Sequence, residues 1–308
     1  MTSSNAASVV EQALAVAAQA QGDLLAIVGP TASGKTALGV ALAERLGGEI
    51  ISADSVQIYR GFDVGSGKPE ASELARARHH LVGTLDPMHP ADAAAWAAEA
   101  NVAIADVRAR GRVPIVCGGT FLWVRALLFG LAAAPPGDHA IRDRHRSIAE
   151  QEGRPSLHAA LSAVDRVTAS RLHPNDFVRV SRALEVHELT GKPMSEWQRE
   201  HAFREVRHPA RLIAIACPPE ALTERIARRA RSWLASGWID EVKGLLAAGY
   251  GDARAMASVG YAQVRDAVDG RIAPAELEAA IIRATRVFAR RQRTWLHHAD
   301  VTWLRDTA

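Results

Sequence analysis

Gly29, Pro30, Thr31, Ala32, Ser33, Gly34, Lys35 and Thr36 stand in succession and satisfy the P-loop pattern of Gly, four residues, then Gly-Lys-Thr. Backbone N–H groups of such a loop turn inward. With the positive end of the helix that follows, they form an anion site fitted to two adjacent phosphates. Lys35 there neutralises phosphate oxygens, and the Thr36 hydroxyl suits a Mg²⁺ ligand. A loop of this kind sees only phosphates, so the bond that breaks must be read from other residues. Asp54 ends the next apolar run, at the carboxyl edge where open α/β sheets bind ligands. A carboxylate at that edge can take a proton from an attacking nucleophile, with a turn or helix-cap Asp as the plainer alternative. Arg225 and Arg229 lie four apart on one helix face, from which one or both can stabilise charge building on phosphate oxygens. Arg228 and Arg231 beside them cannot all face the same ligand, so part of this cluster is ordinary surface.

Holding these groups together requires strand, loop and helix in that order. Leu24 to Val28 is a short apolar run broken by Gly29-Pro30, and Ala37 to Leu46 carries apolar residues at helical spacing until Gly47-Gly48. Glu49 to Asp54 reads as a second strand, Ala91 to Arg110 as an Ala-rich helix, and Val113 to Cys117 as a third strand closed by Gly118-Gly119-Thr120. Such alternation predicts a parallel sheet covered on both faces. After a linker-like stretch from Ala132 to Gly137, no buried strand is legible from Asp138 to His208. That segment shows only helical stretches such as Val178 to Thr190. Arg211 to Cys217 restores a strand, Pro219 to Leu234 and Pro274 to His298 read as long helices, and Val301 to Leu304 as a last strand. The expected fold class is α/β, a P-loop NTPase-like parallel sheet flanked by helices, with an all-helical insertion domain. The expected divisions are a flexible N-terminal extension at 1–22, a catalytic core of 23–137 with 209–308, and the insertion at 138–208.

With 308 residues, 48% of them hydrophobic, the chain suits one large domain and a smaller companion. A net charge of +3 permits an anionic partner without requiring one. No run of about 18 apolar residues occurs, which predicts no membrane span. Residues 1–22 hold Glu11 but no Lys or Arg, unlike a secretory signal, and Cys117 and Cys217, each ending an apolar run, read as reduced core thiols. Together these predict a cytoplasmic protein. The pairs His79-His80 and His297-His298 lack further ligands at metal-binding spacing and are assigned no metal. Arg179 and Arg182, with Arg283, Arg286, Arg290, Arg291 and Arg293, are candidates to grip a phosphate backbone or to be solvated helix faces. Trp197, Phe203 and Trp295 are candidates for base stacking or for core.

In order along the chain, the motifs resemble one family, the tRNA dimethylallyltransferases, from about Leu24 to Leu304. The resemblance rests on Gly29 to Thr36, Asp54 to Gly61, Gly67-Lys68-Pro69, His79-His80-Leu81 with Asp86-Pro87, and Gly118-Gly119-Thr120. It continues through His173 to Asp176, Arg182 to Val186, Thr190 to Pro193, Val259-Gly260-Tyr261 and Arg291 to Trp295. It implies transfer of a dimethylallyl group from dimethylallyl diphosphate to the exocyclic amine of the adenosine just 3′ of the anticodon, with Mg²⁺ as the cofactor and a monomer as the working form. It makes Asp54 the base and Arg229 the leaving-group arginine, beside Lys35 and Thr36. By the same resemblance, tRNA is contacted by Asp54, Ser55, Val56, Gln57, Thr120, Val178, Arg179, Val180, Ser181, Arg182, Val259, Gly260, Tyr261, Arg290, Arg291, Gln292 and Trp295. The chain departs from the family pattern at Ala257 and Ala262, where members often carry Arg, and at Phe121-Leu122-Trp123. Three rival readings share the loop: a small-molecule or nucleotide kinase, a prenyltransferase acting on free adenine nucleotides, and a nucleotide-gated RNA-binding switch.

Overall fold

The structure, a computed structural model, describes residues 3–20, 22–297 and 299–305, and the side chains from residue 8 onward. Its elements fall into two units, one made of Met1–Leu128 with Arg207–Ala308 and the other of Phe129–Val206. The discontinuous unit begins with α1 (Ser3–Ala18), β1 (Leu24–Val28), α2 (Lys35–Leu46), β2 (Gly48–Ser52) and α3 (Ala71–Arg76). It continues with β3 (His79–His80), α4 (Ala93–Ala109), β4 (Val113–Gly118) and α5 (Phe121–Phe129). The contiguous unit holds α6 (His139–Gln151), α7 (Arg154–Val164), α8 (Arg166–Ala169), α9 (Phe177–Thr190) and α10 (Met194–His201). The first unit then resumes with β5 (Ala210–Ile215), α11 (Pro219–Ala235), α12 (Trp238–Ala247), α13 (Tyr261–Val268), α14 (Pro274–Leu296) and β6 (Val301–Leu304).

Among the described residues the strands form one parallel sheet in the order β3-β2-β4-β1-β5-β6. β1 is central and every one of its residues is buried, which explains why its sequence is continuously apolar rather than alternating. All strands run the same way, so the ends of β1, β2 and β4 open on one edge and place their following loops side by side. The register pairs Val28 with Gly118 and Ser52 with Cys117. Asp54 therefore lies two residues beyond the last residue of β2, not within it. His79–His80 adds a two-residue edge strand that the sequence pattern does not reveal. No described helix is long and apolar enough to cross a membrane.

Within the segment expected to be a flexible extension, the described residues are instead largely helical and packed. Residues 3–18 are helical, and Val9 and Ala13, four apart on one face, are buried among Leu38, Val40 and Leu42 of α2 and Leu304 of β6. Gln12 ties the helix to the other end of the chain, its Nε2 donating to the Arg305 carbonyl at 2.8 Å and its Oε1 accepting the Arg305 N–H at 3.1 Å. An Ala-rich composition with few charges hides this face, because the apolar stripe contrasts little with its flanks. Met1, Thr2, Gln21 and His298 lie outside the described residues. Cys117 is buried as expected, whereas Cys217, two residues past β5, is half-exposed.

The contiguous unit is all-helical around Leu157, Leu161, Val180, Ala183 and Leu184. Its buried Glu185 accepts from the Asp138 N–H at 2.6 Å and Arg142 Nε at 2.8 Å and pairs with Arg182. Removing any one partner would leave charge buried without full compensation.

At the carboxyl edge, β4 and the chain leaving β2 come into direct contact. The Ala53 N–H donates to the Cys117 carbonyl at 2.9 Å, and the Thr120 N–H donates to the Ala53 carbonyl at 3.1 Å. A Cβ on Gly118 would stand 2.1 Å from the Ala53 oxygen, so only glycine permits this approach. Gly118→Ala is expected to destabilise the fold by about 1–3 kcal/mol through overpacking against backbone, read as a lowered urea midpoint with an unchanged slope.

Candidate active site

The P-loop leaves β1 and enters α2 through two left-handed residues, Ala32 at φ 64° and Gly34 at φ 98°. Glycine takes that conformation freely, while Ala32 costs about 1 kcal/mol or more, a strain typical of a backbone shaped for a ligand. N–H groups of the first α2 turn lack intrahelical acceptors and point along the helix axis toward the loop. Lys35 folds back, its Nζ donating to the Pro30 carbonyl at 2.8 Å. Burial pulls its ammonium down to about 8, with Arg229 adding to the effect and Asp54 opposing it. Cys117, whose Sγ lies 3.7 Å from the Lys35 carbonyl, is held as a thiol by burial, its pKa pushed up to about 11.

Two arginines of α11 reach the loop. Arg229 donates to the Thr31 hydroxyl, and its guanidinium lies 4.4 Å above the ring of Trp233, four residues on along the same helix face. Burial lowers Arg229 to about 10, leaving it charged at neutral pH. Arg225 donates to the Ser33 carbonyl at 3.3 Å, whereas Arg231 pairs at the surface with Glu278 and Arg228 is exposed. Thr31 is gripped from a second side, its N–H donating to Gln292 Oε1 at 2.8 Å while Gln292 Nε2 donates to the Gly119 carbonyl at 3.0 Å. One amide thus joins α14, the P-loop and the turn after β4.

Asp54 is half-buried, and its Oδ1 accepts the N–H groups of Val56 and Gln57 at 2.9 and 3.2 Å. These two bonds anchor the carboxyl group to its own turn. The Ser55 N–H donates to Thr120 Oγ1 at 3.1 Å, tying that turn to the end of β4. Gln57 is spent on structure, with Nε2 donating to the Ser66 and Gly67 carbonyls and Oε1 accepting from Ser52.

Two adjoining cavities meet at this carboxylate. One, of about 90 Å³, is lined by Lys35, Thr36, Ser52, Asp54, His79 and Cys117. The other, of about 270 Å³, has walls from Ile226, Trp233, Trp238, Val259, Ile281 and Phe288. Thr31, Asp54, Ser66, Arg229, Phe288 and Gln292 line both. A polar anion site and an aromatic pocket therefore share one wall.

Known proteins resemble this chain along most of its length. A family model described as IPP transferase matches residues 57–299, and one described as isopentenyl transferase matches 22–85. A tRNA dimethylallyltransferase of Sorangium cellulosum is 59% identical over 289 residues, covering 94% of this chain and 92% of that protein. The chain belongs to the tRNA dimethylallyltransferase family. Another member, from Myxococcus xanthus, is 46% identical over 88% of each chain. The full-length tRNA isopentenylpyrophosphate transferase of Bacillus halodurans superposes with a TM-score of 0.68 at 35% identity, over 92% of this chain and 90% of that one. A eukaryotic dimethylallyltransferase acting on tRNA gives 0.74 at 25% identity, over 92% and 74%.

In this member of the family, the eight P-loop residues, Asp54 and Arg229 converge on one edge. The residues expected to touch tRNA divide. Ser55, Val259, Arg290, Arg291 and Trp295 are exposed, Val56 and Thr120 are half-buried, and Arg125 lies 5.7 Å over the Trp295 ring. Tyr261 and Gln292 are instead buried, and Gly260 is sealed by Trp238, which a Cβ there would meet at 2.4 Å. In the contiguous unit Val178 and Arg179 are exposed, with Arg179 paired to Asp176, and Arg182 is engaged by Glu185 and the Pro135 carbonyl. Val180 is core and Ser181 bonds His145 at 2.9 Å, so neither side chain is available for contact. A motif marks positions near a substrate but does not separate side chains that touch it from those that hold the backbone. Residues the sequence reading passed over are Trp233, Trp238 and Ser66. The spacing of Trp233 from Arg229 points to the first, and the position of Ser66 directly before Gly67-Lys68-Pro69 to the last.

Lys35 sets a pH dependence. Its free-state value of about 8 must rise when an anion binds, so affinity is favoured below that value and lost above it. Calorimetric titration with dimethylallyl diphosphate is expected to give a flat dissociation constant up to about pH 8, then weakening by up to about tenfold per pH unit, with proton uptake on binding. Lys35→Met should remove the inflection.

Proposed function

We propose that the protein transfers the dimethylallyl group of dimethylallyl diphosphate to the exocyclic amine of the adenosine 3′-adjacent to the anticodon in tRNA. The wall shared by the polar cavity and the aromatic cavity supports this reading, because a diphosphate in the first and an apolar five-carbon chain and a base in the second would meet at one carboxylate. The amine attacks the allylic carbon, the carbon–oxygen bond breaks, and pyrophosphate leaves with the bonding electrons. Asp54 accepts the proton lost from the amine, a needed step because the lone pair of an adenine amine is delocalised into its ring. Lys35, Arg229 and the loop N–H groups meet the charge that grows on the departing oxygens. A kinase would leave the aromatic cavity without a task.

Mg²⁺ fits the donors present, since Thr36 offers a hydroxyl at the wall of the anion cavity. Among the described residues no cluster of three His, Cys, Asp or Glu side chains forms a closed cage, so the remaining ligands would be phosphate and water oxygens. Bound there, the ion neutralises the leaving group. The acceptor adenine must leave its stack to reach Asp54. Exposed Arg283, Arg286, Arg290 and Arg291 on α14 supply a sequence-independent grip on the RNA backbone. One chain supplies both cavities, so a monomer suffices, and a tRNA acceptor puts the reaction in the cytoplasm.

Mass spectrometry of nucleosides from tRNA incubated with the protein and dimethylallyl diphosphate should show a prenylated adenosine. Phosphoryl transfer from ATP to a small molecule without that nucleoside would overturn the reading. Asp54→Ala is expected to slow single-turnover prenyl transfer by about two orders of magnitude or more while keeping tRNA affinity, measured by filter binding.

A further inference from the structure

We propose that Glu241 is a positioning residue for this reaction: its carboxylate anchors the loop 63–68 and, through Gln57, fixes the turn that aims Asp54. The inference rests on the function proposed above. Glu241 lies in the first turn of α12 and lines neither cavity. Its Oε2 accepts the N–H groups of Asp63 and Val64 at 3.0 and 2.6 Å, and its Oε1 accepts the Gly65 N–H at 3.4 Å and the Tyr261 hydroxyl at 2.6 Å. Three successive N–H groups around one anion form a nest of the kind that elsewhere holds phosphate. Here the occupant is built into the protein.

The loop is fitted closely around this anchor. Trp238, one turn before Glu241, packs so tightly on Gly65 that a Cβ there would fall 1.9 Å from Nε1, and one on Gly67 would meet Trp233 at 2.7 Å. The outer side of the loop presents the Ser66 and Gly67 carbonyls to Gln57 Nε2 at 3.2 and 2.8 Å. The Gln57 N–H in turn donates to Asp54 Oδ1 at 3.2 Å. Hydrogen bonds joined by short stretches of chain thus run from a carboxylate that lines neither cavity to Asp54. Without the carboxylate, three backbone donors lose their acceptor and the loop shifts, carrying Gln57 with it. The P-loop takes no part in this path.

The test compares Glu241→Ala and Glu241→Gln with the unmodified protein. Glu241→Ala is expected to lower kcat for prenyl transfer by about tenfold to a hundredfold, the cost of a misplacement near 1 Å. The KM for dimethylallyl diphosphate should change by a smaller factor than kcat, because Ser66 and Gly67 line the anion cavity but the phosphate loop itself is untouched. Formate should refill the nest and restore rate saturably, while chloride at equal ionic strength should not. Glu241→Gln keeps one acceptor oxygen and should retain more activity than Ala. An unchanged kcat, a loss carried by the donor KM, or no response to formate would overturn the assignment. Hydrogen exchange at the Val64 and Gly65 amides tests the anchor without any activity. Slow exchange is expected in the unmodified protein and faster exchange in either variant, and rapid exchange in the unmodified protein would also overturn it. If Glu241→Ala fails to fold, Glu241→Gln and exchange decide. A failure of prenyl transfer in the unmodified protein leaves the exchange result standing and counts against the proposed function instead.

Discussion

Gly118 brings β4 into backbone contact with Ala53, and much of the site follows from that approach. Because β4 lies between β1 and β2, the contact sets the loop after β2 against the turn after β4, which in turn touches the P-loop through Gln292. Asp54, Thr120 and Thr31 are then fixed relative to one another by hydrogen bonds each of which has a backbone group at one end. A carboxylate and a P-loop held this way would need little reorganisation on binding a ligand. A larger residue at position 118 would push the two loops apart before touching any catalytic group.

Charge is arranged on the same principle of restraint. Two cations, Lys35 and Arg229, face a cavity lined by a single carboxylate, and burial depresses both. Each is occupied without a ligand, Lys35 by the Pro30 carbonyl and Arg229 by the Thr31 hydroxyl. These partners are neutral, so a diphosphate can displace them at the cost of one hydrogen bond rather than of an ion pair. The ring of Trp233 keeps Arg229 extended meanwhile.

The sheet and the loop were legible in the sequence because their cues are local. A buried parallel strand is a short apolar run, and a P-loop is eight residues long. The fold class followed from those cues; spacing within one helix singled out Arg225 and Arg229 together, and the family resemblance preferred Arg229. Several features depended on contacts that a single segment does not reveal. The α1 stripe is Val9 and Ala13 against an Ala-rich background, and its burial depends on α2 and β6. Val180, Ser181 and Gln292 sit within motifs associated with tRNA, yet their side chains face inward, because helical motifs mix buried and exposed positions. The role of Glu241 depends on a loop more than 170 positions earlier, and no spacing rule reaches that far.

The discontinuous sheet has a consequence for biosynthesis. β1 is flanked by β4 and β5, and between those two neighbours the ribosome delivers the whole of residues 129–206. A contiguous helical unit of local contacts can condense as it emerges, while four of the six described strands wait with β1 as an open edge. Gln12 in α1 finds its partner, Arg305, only after all the chain between them has been made. A helix made before the sheet is thus fastened only after the sheet's last strand, and the interval between is when the nascent chain most needs shielding.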